Sequence, residues 1–287
     1  MRVKKFFLHS FIGLYVICFL QSCAEKDLPA QNLKIEKGFK LEVFASDISS
    51  PRQLAQGDDQ RIYVGSKKEG KIFALRDTDG NGVADEKILV AENLFLATGV
   101  SFFNGDLFFS EISKIWKIEN IESWLNENNS RSDLPKKILV TDQLPSDKWH
   151  GWKWLKHDEQ GGLYFNVGAP CNICLSENSQ YASILKIKNG EWEHVARGVR
   201  NSVGFDFHPV TQKLFFTDNG RDWLGDDSPS CELNRVDQDG QFFGYPFKHA
   251  ANIMDPEFGD LNSGFDYVDP ILELGAHVAP TGVAFYT

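Results

Sequence analysis

Gln212-Lys213-Leu214-Phe215-Phe216-Thr217, followed by Cys231-Glu232-Leu233-Asn234-Arg235-Val236, decides the fold, because this pair is the fourth copy of one pattern. The first copy is Arg61-Ile62-Tyr63-Val64-Gly65 with Gly70-Lys71-Ile72-Phe73-Ala74-Leu75. The second is Gly105-Asp106-Leu107-Phe108-Phe109-Ser110 with Lys114-Ile115-Trp116-Lys117-Ile118, and the third is Gly162-Leu163-Tyr164-Phe165-Asn166 with Ala182-Ser183-Ile184-Leu185-Lys186-Ile187. Each copy reads as a turn, a buried strand, a loop and a second strand, with a period of roughly 45 to 55 residues, the spacing of propeller blades. Thr98-Gly99-Val100-Ser101-Phe102, Ser202-Val203-Gly204-Phe205-Asp206-Phe207 and Thr281-Gly282-Val283-Ala284-Phe285 form a second recurring element and read as innermost strands. The expectation is an all-β, six-bladed β-propeller. A propeller must close to avoid open edges, and the last inner strand stands at Thr287, so the chain is expected to be incomplete within its last blades. A five-bladed chain is the alternative.

Between these segments the chain is rich in aromatic and β-branched residues that alternate with the two-residue period of strands. The one helical pattern is Ile118 to Asn128, with Trp124 and Leu125 on one side. Arg2, Lys4 and Lys5 precede a short apolar run, Phe6 to Leu20, which reads as a secretory signal. Leu20-Gln21-Ser22-Cys23 has the form of a bacterial lipobox and makes Cys23 the lipidation site. The expected organisation is a lipoprotein signal over 1–22, a polar tether over 23–37 and a propeller domain over 38–287. Ala24 after the Cys points to the periplasmic face of the outer membrane, or the cell surface, of a Gram-negative bacterium, with the lipid as the only membrane contact. A net charge of −10 without a basic run after the signal argues against a nucleic-acid partner.

Cys171, Cys174 and Cys231 remain in the mature chain, an odd number that implies one disulfide and one free thiol in an oxidising compartment. Cys171-x-x-Cys174 lacks the His of a haem-attachment motif, a second pair for zinc and the βαβ setting of a redox motif. A structural disulfide bracing the loop after Ala169 is favoured; its pairing is open, and Cys231 with either of the others is one solution.

Three polar stretches follow strand-like runs, the way a β scaffold gathers chemistry on loops at one end, and a fourth acidic loop stands apart as a structural calcium candidate. His150, between Trp149 and Trp152, is a candidate general base or a packed side chain. Arg200-Asn201 offers an anion-binding fork and an amide, or an inter-blade salt bridge. Gly220 to Asp227, including Asp226 and Asp227, presents oxygen donors to a hard cation, or is a solvated loop. Asp77, Asp79, Asn81 and Asp85 follow the spacing of half an EF-hand loop without its final Glu; calcium there competes with a plain hairpin turn.

Taken together, from about Gly38 onward, the chain resembles the soluble quinoprotein glucose/sorbosone dehydrogenase family, nearest its sorbosone-dehydrogenase-like branch. The stretches that carry this are Phe44-Ala45-Ser46-Asp47, Leu75-Arg76-Asp77-Thr78-Asp79-Gly80, Leu144-Pro145-Ser146-Asp147, Gly168-Ala169-Pro170-Cys171, Gly198-Val199-Arg200-Asn201-Ser202 and Asp218-Asn219-Gly220-Arg221-Asp222-Trp223. The resemblance implies a six-bladed propeller that binds pyrroloquinoline quinone (PQQ) and calcium on its top face. It implies oxidation of a sugar or sugar-derived aldehyde, with electrons passed to an acceptor the sequence does not identify. His150 would take the hydroxyl proton, Arg200 would polarise the quinone and steady its charge, Asn201 would contact the cofactor, and the Gly220 loop would carry calcium. Ala169 stands where glucose-oxidising members place an Asp beside the base, which points away from glucose itself. The rival readings are a metal-dependent propeller lactonase and a non-catalytic propeller that binds a glycan or a protein.

Overall fold

The structure, a computed structural model, describes residues 33–128, 133–188 and 190–286. The signal, Cys23 and most of the tether lie outside the described residues. The chain divides into two units, Met1–Glu42 and Val43–Thr287. The described part of the first is coil with one turn, closed by the Phe39 N–H on the Glu36 carbonyl at 3.1 Å.

The second unit is an all-β propeller, with four blades among the described residues. The first blade is β1 (Pro51–Gln56), β2 (Ile62–Ser66), β3 (Lys71–Arg76) and β4 (Glu86–Ala91). The second is β5 (Val100–Phe103), β6 (Asp106–Ser110), β7 (Ile115–Ile118) and β8 (Ile138–Thr141), with helix α1 (Ile121–Asn128) inserted before β8. The third begins β9 (Leu155–His157), β10 (Leu163–Val167), β11 (Ser183–Lys188) and β12 (Glu191–Arg197). The fourth begins β13 (Phe205–Phe207), β14 (Leu214–Asp218) and β15 (Ser230–Arg235). The chain then adds β16 (Gln241–Phe242) parallel to the edge of β12, makes a small hairpin of β17 (Lys248–His249) and β18 (Ile253–Met254), and closes the fourth blade with β19 (Leu272–Ala276).

The four sequence copies fall on the second and third strand of each blade, in antiparallel register such as Val64↔Phe73 and Phe216↔Asn234. Two of the expected inner strands are β5 and β13. The third, at 281–285, forms no strand but lies against β13. Gly204 allows this approach, since a Cβ there would come within 2.4 Å of the Gly282 Cα.

The expected alternation fails in the middle of the blades. All five residues of β10 are buried, as are four of five in β2. β2 is covered by the second blade on one face and by Phe44, Ala45 and Ile48 on the other, and β10 by the second and fourth blades, so these strands read as continuous apolar runs. Tyr63, Ile72 and Val90 pack with Val100, Leu107 and Phe109 between the first two blades. Ile115, Leu155 and Phe165 continue the core into the third, and Tyr164, Ile184 and Phe216 into the fourth. Burying one such Phe contributes roughly 2–3 kcal/mol. The helix is shorter than its pattern and buries Ile121 and Leu125 against the first of these cores.

Around the axis the inner strands are stapled by polar side chains. Gln53 on β1 is buried; its Oε1 accepts the Val100 N–H at 3.1 Å and the Leu155 N–H at 2.8 Å, and its Nε2–H donates to the Leu155 carbonyl at 2.5 Å. One side chain therefore sets the register of three blades. The resulting axial cavity, about 310 Å³, is lined by Gln53, Thr98, Trp152, Lys153 and Val203 among others.

Candidate functional site

His150 lies in the segment that enters β9. Asn166 on β10 holds that segment: its Oδ1 accepts the Trp154 N–H at 2.6 Å and its Nδ2–H donates to the Trp152 carbonyl at 2.8 Å. His150 itself has a φ of 49°, the left-handed region that non-glycine residues seldom occupy and that recurs at functional positions. Gly168 is required opposite it, because a Cβ there would stand 2.5 Å from the His150 Cβ.

The imidazole is set in one tautomer. Its Nδ1 lies 2.9 Å from the Ala169 carbonyl, which can only accept, so Nδ1 carries the proton. Nε2 is therefore the lone-pair nitrogen, and it accepts the Trp149 indole N–H at 3.1 Å. Burial pushes the His150 pKa down to about 4, with the Arg200 charge adding to the effect and the Ala169 hydrogen bond and Asp222 opposing it. His150 is thus a neutral base at neutral pH. The Ala169 backbone supplies the orienting acceptor, and the Ala169 N–H is in turn fixed on the Arg200 carbonyl at 2.8 Å.

Arg200 is 5 % exposed and bound on three sides. Its Nε–H donates to the Asn172 carbonyl at 2.8 Å, Nη2–H to Asn172 Oδ1 at 2.8 Å and Nη1–H to the Asn219 carbonyl at 3.0 Å. Among the described residues its ion pair is to Asp222, at 3.5 Å. The turn from Arg200 to Asn201 is held by Asp218 at the end of β14, whose carboxylate accepts the Arg200 N–H at 2.8 Å and the Asn201 N–H at 2.6 Å. Asn201 Oδ1 is buried and has no hydrogen-bond partner, whereas the Asn201 carbonyl accepts from Asn219.

His150, Arg200, Asn201 and Gly220 meet at one pocket of about 260 Å³, joined by Asn219, Asp222 and Cys231. Asp226 and Asp227 are exposed and do not line it. The Gly220–Asp222 segment is anchored from below by Asp255, which pairs with Arg221 and accepts from His249 Nε2 at 2.8 Å. Beneath the pocket, Asp218 and Glu232 are register partners on β14 and β15. Burial raises both carboxyls, Asp218 to about 6 and Glu232 to about 8, and the Asp218 charge adds to the rise of Glu232.

The loop with Asp77, Asp79, Asn81 and Asp85 lies between β3 and β4, outside this pocket. Asp77 accepts the N–H groups of Gly80, Asn81 and Gly82, and Asp85 accepts from Thr78, so these carboxylates cap their own turn. Among the described residues no group of three or more His, Cys, Asp or Glu side chains is arranged to hold a metal ion.

The disulfide joins Cys171 to Cys174, with Cα atoms 6.2 Å apart, and Cys231 is a free buried thiol. A bridge through Cys231, one of the pairings the sequence left open, does not form: Cys231 sits in β15, where its backbone pairs with Gly275 on β19.

Sequence reasoning missed Asn172, Asp218, Asp255 and Glu232. Asp218 and Glu232 carry one usable signal, a carboxylate in each of two consecutive buried strands.

Residues 25–174 match a family model described as a domain of unknown function, DUF7133. An uncharacterised protein of Borreliella burgdorferi is 31 % identical over 294 residues, spanning 99 % of this chain and 76 % of the relative. Among solved structures, a carbohydrate-active enzyme of family AA12 from Trichoderma reesei aligns with a TM-score of 0.66 at 17 % identity, covering 84 % of this chain and 71 % of that one. The holo PQQ domain of pyranose dehydrogenase from Coprinopsis cinerea gives 0.66 at 15 %, covering 84 % and 69 %. The PQQ-bound aldose sugar dehydrogenase of Streptomyces coelicolor gives 0.63 at 19 %, covering 85 % and 74 %. At these identities the likeness establishes a shared propeller fold.

Proposed function

The chain belongs to the DUF7133 family, and we propose that it is a PQQ-dependent dehydrogenase that oxidises a sugar, or a sugar-derived hydroxyl or aldehyde. The observation that carries this is the neutral His150 imidazole beside a buried Arg200 in one pocket. The fold is shared with proteins whose structures contain PQQ, which supports the same cofactor here. A calcium-bound structure of the AA12 protein supports calcium.

The residues present fit both groups. Asn201 brings a buried oxygen with no protein partner, and Gly220 and Asp222 bring a backbone carbonyl and an exposed carboxylate, the hard oxygen donors calcium takes. Asn201, Gly220 and Asp222 would hold them; the outlying Asp226 and Asp227 would not. When bound, PQQ would supply the two-electron acceptor for substrate hydride and calcium a Lewis acid.

The chain's own part is proton transfer and charge placement. His150 Nε2 takes the proton of the substrate hydroxyl, and the Trp149 indole must release that nitrogen for it to do so. Trp149 is about half exposed, so the swing displaces no core packing. The Ala169 carbonyl keeps Nδ1 protonated throughout, and Asp222 offsets the charge the imidazole acquires. Arg200 holds fixed positive charge at the pocket, where negative charge develops as the acceptor is reduced. A six-bladed propeller, a lipid anchor at Cys23 and a place outside the cytoplasm complete the proposal. The lipobox and the Cys171–Cys174 disulfide support the last of these.

The test is dye reduction by the full-length protein, with PQQ and calcium added singly and together, across aldoses and sugar aldehydes. Turnover requiring both cofactors is expected, with a loss of ~10²–10⁴-fold in His150→Ala at retained PQQ binding. A protein that fails to bind PQQ overturns the proposal. Lactone hydrolysis without an electron acceptor would then favour the lactonase, and glycan binding alone the non-catalytic propeller.

A further inference from the structure

We propose that Asn172 is a positioning residue of this site, held in place by the Cys171–Cys174 disulfide, and that through it the disulfide sets the arrangement of Arg200 and the Asp222 segment. The inference rests on reading the pocket as the place of reaction.

Asn172 is 8 % exposed and lies in a loop without regular structure between β10 and β11. Its backbone carbonyl accepts the Arg200 Nε–H and its Oδ1 accepts the Arg200 Nη2–H, each at 2.8 Å. The same Oδ1 accepts the Asp222 N–H at 2.8 Å, while Nδ2–H donates to the Asp222 carbonyl at 3.1 Å. One residue thus grips the Nε–Nη2 edge of the guanidinium from the third blade and clamps the backbone of the pocket loop that follows β14. The side chain needs both an acceptor and a donor, which an amide has and a carboxylate lacks.

Among the described residues, 170–177 make no backbone–backbone hydrogen bond that would keep Asn172 there. The bridge closes a four-residue ring that contains Asn172 and removes most of the freedom of its φ and ψ. Tyr245, itself 4 % exposed, pins the ring from the other side: its hydroxyl accepts the Cys174 N–H at 3.0 Å and lies 3.4 Å from Cys171 Sγ. Neither Cys171 nor Cys174 lines the pocket. The effect of the disulfide passes through Asn172, and from Arg200 onward to the Ala169 N–H and to His150.

The experiment compares wild type, Asn172→Ala, Asn172→Asp and Cys171→Ser/Cys174→Ser, together with wild type reduced by a phosphine that converts the bridge to two thiols. Hydrogen exchange of the Asp222 amide is read in the cofactor-free protein, and kcat and KM are read by dye reduction in the loaded one. Expected in Asn172→Ala and in reduced wild type is loss of Asp222 protection with β10 and β14 unchanged. A fall in kcat of ~100-fold with KM nearly constant should accompany it, the signature of misplacement rather than lost binding. Asn172→Asp, which keeps the acceptor, should recover part of both. Wild-type exchange at Asp222 in Asn172→Ala overturns the role of Asn172, and unchanged exchange on reduction overturns that of the disulfide. If a variant loses β10 protection as well, reduced wild type decides. If wild type itself does not turn over, the function proposed above fails while the exchange data still decide this inference.

Discussion

Two loops of this chain have nearly the same composition and opposite fates. Asp77 to Asp85 and Asp218 to Asp227 are both short, acidic and glycine-rich, and both follow a buried strand. In the first, Asp77 takes three N–H groups from within five residues of itself, so its carboxylate caps its own turn on the exposed rim, and only the Ala84 N–H at the loop's end reaches out, to the Phe44 carbonyl at 2.7 Å. In the second, the partners of Asp218, Asn219 and Asp222 come from Arg200, Asn201, Asn172 and Pro280. Local bonds make a turn, whereas bonds between blades make a pocket, and only the second arrangement leaves polar atoms such as Asn201 Oδ1 unsatisfied beside a cavity. The count of oxygens in a loop is therefore a poor guide to a site; the distance along the chain to their partners is a better one.

The sharpest break of this contrast is Asp218→Ala. It leaves the Arg200 and Asn201 N–H groups buried and unpaired, so a stability loss on the order of 3 kcal/mol is expected in urea unfolding. Dye reduction should disappear with it, because the turn that aims both side chains is lost. Stability near wild type would show that the turn stands without its carboxylate.

Glu232 tests the floor of the pocket next. Burial and Asp218 raise its pKa to about 8 in the folded chain, against about 4.5 in the unfolded one. The folded state then holds a proton that the unfolded state has released, so this stability is full below the unfolded pKa and drains away as pH rises to about 8. Asp218, raised to about 6, adds the same sign at the lower end of the window. One such proton is worth up to ~1.4 kcal/mol per pH unit. The stability difference between wild type and Glu232→Gln, read by thermal unfolding, should fall across this window, since His150 adds its opposite slope to both proteins; parallel curves would mean Glu232 is ionised in the fold.

A smaller effect separates the two influences on His150. Burial is the larger cause of its low pKa and Arg200 the second. In Arg200→Gln the imidazole titration, followed by NMR, should move up from about 4 but stop short of 6.5, since burial remains. The sign for stability is opposite to that of Glu232: below about 6.5 the unfolded chain binds a proton the folded one resists, so folding weakens as pH falls toward 4. No movement in the variant would place the whole shift on burial.

How much of this was legible follows from where each partner lies. Strands such as Leu214–Asp218 and Lys71–Arg76 declare themselves by their own residues, and four repeats of them imply a propeller. The first inner strand, Pro51–Gln56, declared nothing, because its key residue is a buried Gln whose partners are Val100 and Leu155. His150, Arg200 and Asn201 stood out as rare chemistry on loops. Asn172 did not: an Asn inside a Cys-x-x-Cys looks like filler until Arg200 and Asp222 are brought to it by the meeting of the third and fourth blades. Asp226 and Asp227 drew attention by charge, although their neighbours Asp218 and Asp222 carry the pocket.

The smallest expected effect is the one that completes the contrast. Asp77→Ala removes the cap of an exposed turn whose Gly80 and Gly82 already accept positive φ, so water can replace the carboxylate at the freed N–H groups. Hydrogen bonds to Asp77 hold its carboxyl below the usual range, led by the Gly82 N–H, so its share of stability is present at neutral pH and is lost as pH falls through that depressed value. A slight drop in melting temperature at pH 7, vanishing in acid, is expected, with dye reduction and calcium dependence as in wild type. If calcium raises the melting temperature of wild type but not of Asp77→Ala, the turn is a second metal site after all, and the carboxylate exchanges its own backbone partners for the ion.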